Sequence, residues 1–180
     1  VKLTPVPLRG AWLIDVERIE DERGFFARTW SAEELAAAGL STTLVQCSIS
    51  FNHRRGTLRG MHYQADPHGE TKLVRCTMGA VWDVVVDLRR QSPTFRQWFG
   101  AELSAENRRT LYIPPGFAHG FITLTDATEV LYQMGTPYVP EAARGVRWND
   151  PAFGIDWPFA PAVIAERDAR YADFGEATVP

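Results

Sequence analysis

Cysteine is scarce: the 180 residues hold two, Cys47 and Cys76. Both stand among strand-forming residues and read as reduced, buried thiols, so a disulfide framework is not expected to hold the fold together. An excess of one charge is also missing. The 19 Lys and Arg against 22 Asp and Glu leave a formal net charge of -3. That withholds the basic surplus by which duplex nucleic acid is bound. No apolar run reaches the roughly 18 residues that a membrane helix needs, and no charged-then-apolar leader opens the sequence. The expectation is a cytoplasmic protein with neither nucleic acid nor membrane as partner. Internal repeats, low-complexity segments and linkers are absent. So are the Gly-x-Gly-x-x-Gly and P-loop patterns, which argues against a doubly wound nucleotide fold.

What is present is punctuation. Fourteen glycines and twelve prolines break the chain into short runs rich in β-branched and aromatic residues. Strands are expected at 44–50, 57–64, 72–78, 81–88, 97–103, 111–113, 120–124 and 128–138. Gly79 and Ala80 look like the turn of a hairpin. The segment SAEELAAAGL, 31–40, reads as a helix with Ser31 as cap, Glu34 closing a capping box and Gly39 as terminator. A second short helix is expected within 161–170. Many short strands at even spacing point to a sandwich or small barrel. The length suits one domain spanning 1–180. In VWDVVVDLR, alternation puts Val81, Asp83, Val85 and Asp87 on one face. Those aspartates meet either a wet surface or a polar cavity, and the surface is the commoner case.

The run GTLRGMHYQ at 56–64 carries more polar heads than a packing strand needs. His62 within it is open to three readings: a structural histidine, a metal ligand or a proton carrier. The spacing from Gly56 to His62 resembles that of a cupin barrel. The Pro-x-Gly-x-x-His run of that barrel stands at 114–119 and ends in His119. The expected second histidine is replaced by Gln64, and Lys72 lies where a carboxylate ligand would be wanted. Transition metals take about three protein ligands of N, O or S type. No metal is therefore expected, and proton transfer remains as the reason for His62.

The chain as a whole resembles the dTDP-4-dehydrorhamnose 3,5-epimerase family of sugar-nucleotide epimerases. The matching segments are DERGFF at 21–26, GTLRGMHYQ at 56–64, KLVRCTMGAVWDVVVDLR at 72–89 and SPTF at 92–95. LYIPPGFAHGF at 111–121, EVLYQ at 129–133, GVRWNDPAFGIDWP at 145–158 and IAERD at 164–168 follow in family order. The resemblance implies a mainly β, cupin-type jelly-roll barrel with a few short helices. It also implies epimerisation at C3, C5 or both of a nucleotide-linked 4-keto-6-deoxyhexose, with no metal and no organic cofactor. The C4 ketone acidifies the hydrogens on both neighbouring carbons, so the chemistry needs a base, an opposing acid and a charge to hold the enolate.

By that resemblance His62 is the base, Asp168 the carboxylate that orients it, Tyr132 the acid and Lys72 the cation at the enolate oxygen. Arg23 and Arg59 match diphosphate contacts. Phe26, Gln46, Ser48, Tyr138, His119 and Asp83 match further substrate-binding positions. Without the family, Tyr132 could equally pack, Lys72 and Asp168 read as solvated surface charges, and strand alternation would offer Asp83 as the partner of His62. Alternation also puts Arg59 and His62 on opposite faces, unless the strand bends at Gly60. Ser48 stands where many relatives carry Asn, and SISFNHRR departs from their run, which leaves the nucleotide base open. The resemblance further implies a homodimer with ligand contacts shared between subunits, DERGFF being the segment to cross over. Alternatives are a mono-epimerase, a 3,4-ketoisomerase and a non-catalytic sugar-binding cupin. The ketoisomerase is disfavoured by Tyr63 and Gln64, where those relatives carry another histidine.

Overall fold

The computed structural model describes residues 1–175. Short strands dominate, in the order β1 (Lys2–Pro5), β2 (Trp12–Asp15), β3 (Arg18–Asp21), β4 (Gly24–Ala27), β5 (Gln46–Asn52), β6 (Thr57–Gln64) and β7 (Lys72–Met78). Then come β8 (Ala80–Asp87), β9 (Trp98–Ser104), β10 (Thr110–Ile113), β11 (Phe117–Thr123), β12 (Thr128–Met134), β13 (Ala143–Gly145) and β14 (Val163–Ile164). Helix α1 (Ala32–Ala37) precedes β5, and α2 (Glu166–Ala169) follows β14. One sheet runs β1-β2-β10-β7-β12-β5, and a second runs β13-β6-β11-β8-β9 with β14 beside β6. Strands β3 and β4 form a separate hairpin. The architecture is the expected jelly-roll barrel of the cupin type, mainly β with few short helices.

Alternation within the strands builds the cores, two of which flank β8. Val74, Cys76, Leu111 and Val130 of the first sheet meet Val81, Val85, Phe117 and Phe121 of the second. Val84, Val86 and Leu88 point the other way, into a layer with Met61 of β6 and with Val146 and Phe153 from later loops. Strand β8 is therefore buried on both faces, and Asp83 and Asp87 are both fully enclosed. The wet-surface alternative does not hold for either. Asp87 accepts from the Arg89 guanidinium, Ser92 Oγ and Thr94 Oγ1, so the SPTF turn is folded around its carboxylate.

Several boundaries differ from expectation for local reasons. Gly79 is not a hairpin turn: β7 and β8 belong to different sheets, so the chain crosses the barrel edge there. Its φ is +74°, and a Cβ would stand 2.5 Å from Thr125 Oγ1 and 2.6 Å from Thr128 Oγ1, so this corner admits only glycine. Helix α1 is shorter than 31–40. Ser31 Oγ accepts from Glu34 N at 3.4 Å, but the Glu34 carboxylate turns to Arg28 and not back to the cap. Strand β11 starts at Phe117, which places His119 inside a strand, and β12 stops at Met134, which leaves Tyr138 in a loop. The 161–170 segment gives two short pieces, β14 and α2. Cys47 is exposed where burial was expected, because it lies on the outward face of the edge strand β5; both cysteines are free.

Candidate active site

A cavity of about 490 Å³ is lined from both sheets, within the usual size range of small-molecule sites. His62, Arg59 and His119 line it from the second sheet, and Ser48, Lys72 and Tyr132 from the first.

Arg59 and His62 share this cavity because β6 is bulged. Along the ladder His62 pairs with His119 and Arg59 with Phe121, so three steps on β6 match two on β11. The extra residue resets the alternation and brings two oppositely facing positions onto one face. The bulge sits where Gly60 crosses Gly120. Gly60 has φ +135°, and a Cβ there would lie 2.5 Å from Gly120 Cα. A Cβ on Gly120 would lie 2.6 Å from Met61 Sδ and 2.7 Å from the Arg59 carbonyl. Neither position has room for a side chain.

Asp168 reaches His62 by a route invisible in the spacing. Strand β14 runs parallel to the start of β6, with Val163 beside Thr57 and Ile164 beside Leu58. The chain continues in the same direction into α2, which sets Asp168 over Gly60 and His62. Asp168 Oδ1 lies 2.8 Å from His62 Nε2, and Oδ2 accepts from the Gly60 N–H at 3.1 Å. Burial pushes the Asp168 pKa upward, but the His62 and Gly60 hydrogen bonds and the Arg167 guanidinium outweigh it, and the net shift is downward. An ionised carboxylate can only accept, so Nε2 carries the proton and the lone pair of neutral His62 is on Nδ1.

The second histidine is paired too. His119 Nε2 lies 2.9 Å from Asp83 Oδ1, with both side chains almost fully enclosed. Asp83 thus belongs to His119 and is not the partner of His62. Asp83 Oδ2 is buried without a hydrogen-bond partner. Burial raises the Asp83 pKa, against the lowering effect of His119 and Lys72. The Tyr132 ring meets His119 edge-on, with centroids 6.2 Å apart. Burial first, and then the Asp83 charge, push the Tyr132 phenol well above its ordinary pKa, so it stays protonated.

The remaining expected residues divide. Arg59 Nε donates to Asn52 Oδ1 at 2.8 Å, which leaves its terminal nitrogens for a ligand. Lys72 Nζ lies 2.8 Å from Glu70 Oε1. Tyr138 is exposed at the cavity rim. Gln46 stands just outside the lining and accepts from the Tyr138 N–H at 3.4 Å. Arg23 and Phe26 do not reach the cavity of their own chain. They lie on the β3–β4 hairpin, where Arg23 pairs with Asp21 and Phe26 is 71% exposed. Glu70, Arg144, Arg167 and Tyr171 also line the cavity and were not singled out from the sequence. Alternation offered one signal, since Glu70 stands two residues before Lys72. Among the described residues no group of three His, Cys, Asp or Glu side chains could hold a metal ion. No helix among them is long and apolar enough to cross a membrane.

The family model for dTDP-4-dehydrorhamnose 3,5-epimerase matches residues 5–176. The dTDP-4-dehydrorhamnose 3,5-epimerase of Salmonella typhimurium is 48% identical over 143 residues, covering 78% of this chain and 76% of that one. The Legionella pneumophila dTDP-6-deoxy-D-glucose-3,5-epimerase, solved with dTDP-4-keto-L-rhamnose, superposes with a TM-score of 0.91 at 35% identity, covering 99% and 97% of the two chains. A 3'-monoepimerase of Streptomyces bikiniensis, solved with dTDP-quinovose, gives a TM-score of 0.87 at 33% identity over 97% and 87%. With its fold, its cavity and these likenesses, the chain belongs to the dTDP-4-dehydrorhamnose 3,5-epimerase family.

Proposed function

We propose that the protein is an isomerase that epimerises a dTDP-linked 4-keto-6-deoxyhexose at the carbons flanking its ketone. His62 Nδ1 takes the proton from the carbon beside C4. Asp168 holds the ring in the productive tautomer and stabilises the imidazolium that results. The Lys72 ammonium faces the oxygen on which enolate charge develops. Tyr132 gives a proton back to the carbon. It projects from the first sheet while His62 projects from the second, so removal and return come from opposite walls, which inverts the centre. His62 ends with one proton more and Tyr132 with one fewer, and exchange with solvent restores both. The single observation that carries this reading is the 2.8 Å His62–Asp168 pair in the same cavity as Tyr132 and Lys72.

The chemistry needs neither metal nor organic cofactor in this reading. Gln64, at the position where a cupin would place a ligand, spends its amide on His68 O, Pro137 O and the Val139 N–H. Arg59, Arg144 and Arg167 supply positive charge for a diphosphate, and Tyr138 is a platform for the base. Ser48, Gln46, His119 and Asp83 shape the wall between them. One domain spanning 1–180 carries the site, and a cytoplasmic location fits the nucleotide-sugar substrate.

The working unit in this proposal is a homodimer. Ile19 and Phe26 on the β3–β4 hairpin are 68% and 71% exposed, and Ile49 and Phe51 on the edge strand β5 are 64% and 42% exposed. Docking on a second copy would cover both patches and an open sheet edge. It would also deliver Arg23 and Phe26 to a neighbouring cavity. Light scattering that returned only the 20.2 kDa monomer at working concentration would reject this assembly.

The test of the reaction is deuterium uptake from D2O into dTDP-4-keto-6-deoxyglucose, read by mass. Two deuterons per sugar are expected for 3,5-epimerisation. One would establish the mono-epimerase reading, which the likeness to the S. bikiniensis enzyme supports. Tight binding with no uptake would leave a sugar-binding cupin. The same assay with the CDP, UDP and GDP forms ranks the bases.

A further inference from the structure

Glu70 is the one acidic residue lining the cavity among the described residues, against four cations: Arg59, Lys72, Arg144 and Arg167. The proposed proton transfers do not use it. A carboxylate in a pocket that must receive a diphosphate opposes binding, so its presence asks for a reason. Its surroundings supply one. The Glu70 and Lys72 side chains are only 9% and 12% exposed, with Nζ and Oε1 2.8 Å apart. The backbone on both sides of Glu70 is tied down: Gly69 O accepts from Thr136 Oγ1 at 3.1 Å, and Thr71 O accepts from the Gly135 N–H at 2.9 Å. Lysine ends in a flexible four-carbon stem and does not place its charge by itself.

We propose that Glu70 is a positioning residue that fixes Lys72 Nζ and cancels its charge in the resting cavity. This inference rests on the epimerase reading. A lysine already paired with a carboxylate gains little from a neutral ketone. It gains more once negative charge develops on the oxygen, so the interaction favours the transition state over the bound substrate. Glu70→Gln keeps shape and hydrogen-bonding capacity but removes the charge.

The expected result for Glu70→Gln is a split. Its dTDP affinity by calorimetry rises roughly threefold, because one repelling charge is gone. Its kcat for deuterium uptake falls roughly tenfold, because Nζ is no longer placed. In a Lys72→Met background Glu70→Gln has no further effect on the rate, as two residues acting through one interaction require. Wild-type kcat together with wild-type dTDP affinity would overturn the inference and leave the epimerase reading intact. So would a joint loss of rate and affinity with a lowered melting temperature, the signature of a merely structural role. If the wild-type protein takes up no deuterium, the epimerase reading fails instead. The dTDP measurement then still decides whether Glu70 cancels the Lys72 charge, with unchanged or weakened affinity counting against it.

Discussion

The barrel contains two His–Asp pairs, on neighbouring strands and directly across from one another, and they are built to opposite ends. His62 and His119 are cross-strand partners, and each points Nε2 at a carboxylate 2.8–2.9 Å away. The His62 side chain is 33% exposed, and Asp168 is further held by the Gly60 N–H and Arg167. That carboxylate is satisfied and ionised, and its histidine opens on the cavity. The His119 side chain is 5% exposed, and Asp83 keeps one oxygen without a partner. Burial raises one carboxyl, while hydrogen bonds lower the other against burial. A histidine next to an aspartate is therefore not in itself a base. What separates the proposed base from a wall residue is how completely its carboxylate is satisfied and whether its free nitrogen can reach a ligand.

The comparison breaks most visibly at Asp168. An amide there presents either N–H or C=O to Nε2, and the tautomer with the lone pair on Nδ1 is no longer enforced. Asp168→Asn is expected to slow deuterium uptake roughly a thousandfold, with dTDP affinity by calorimetry nearly unchanged. A loss of less than tenfold would mean that the carboxylate does not orient the base.

Next in size comes Gly120→Ala. The added methyl group meets Met61 Sδ and the backbone of Arg59 and Gly60, and the two backbone contacts cannot yield without moving β6. A stability loss of about 1–3 kcal/mol is expected from overpacking, read by thermal melting. Uptake should fall as well, because the bulge holds the Gly60 N–H on Asp168. Wild-type activity in a folded variant would show that the bulge does not set the base.

The smallest effect, and the sharpest contrast, lies in the pH dependence of stability. Asp168 has a folded pKa below its unfolded value, so its contribution is present above the unfolded carboxylate pKa of about 4 and is lost as pH falls through the folded value. Asp83 has a folded pKa above its unfolded value, so its contribution is present below the unfolded pKa and is lost as pH rises through the folded value. Melting of the wild-type protein against Asp168→Asn and against Asp83→Asn should give differences of opposite slope. The Asp168 advantage grows with pH and the Asp83 advantage shrinks. Parallel slopes would erase the distinction between the pairs.

Much of this was legible before the fold was seen, and what was not had a physical reason. Alternation predicted β5 to β12 because these strands pack on a core and show it in their sequence. The strands β1, β3 and β4 are as short as β10, four residues each, but are mostly exposed where β10 is buried throughout, so they carry no core pattern to read. The Gly79 corner looks like a hairpin because a glycine between two strands says nothing about which sheet each one joins. Asp168 could be paired with His62 only through family likeness, since the β14–β6 parallel contact that delivers it spans more than a hundred positions of chain. Alternation failed at Arg59 for a local reason, the Gly60–Gly120 crossing. Glu70 escaped notice because a carboxylate opposes the ligand the rest of the cavity suits.

The central claim is that the imidazole of His62 removes the proton beside the ketone, and mass spectrometry of the sugar nucleotide in D2O with His62→Asn tests it most directly. The variant should bind dTDP about as well as the wild-type protein and incorporate no deuterium on the time scale of wild-type turnover. Wild-type incorporation by a folded, dTDP-binding His62→Asn would contradict the claim.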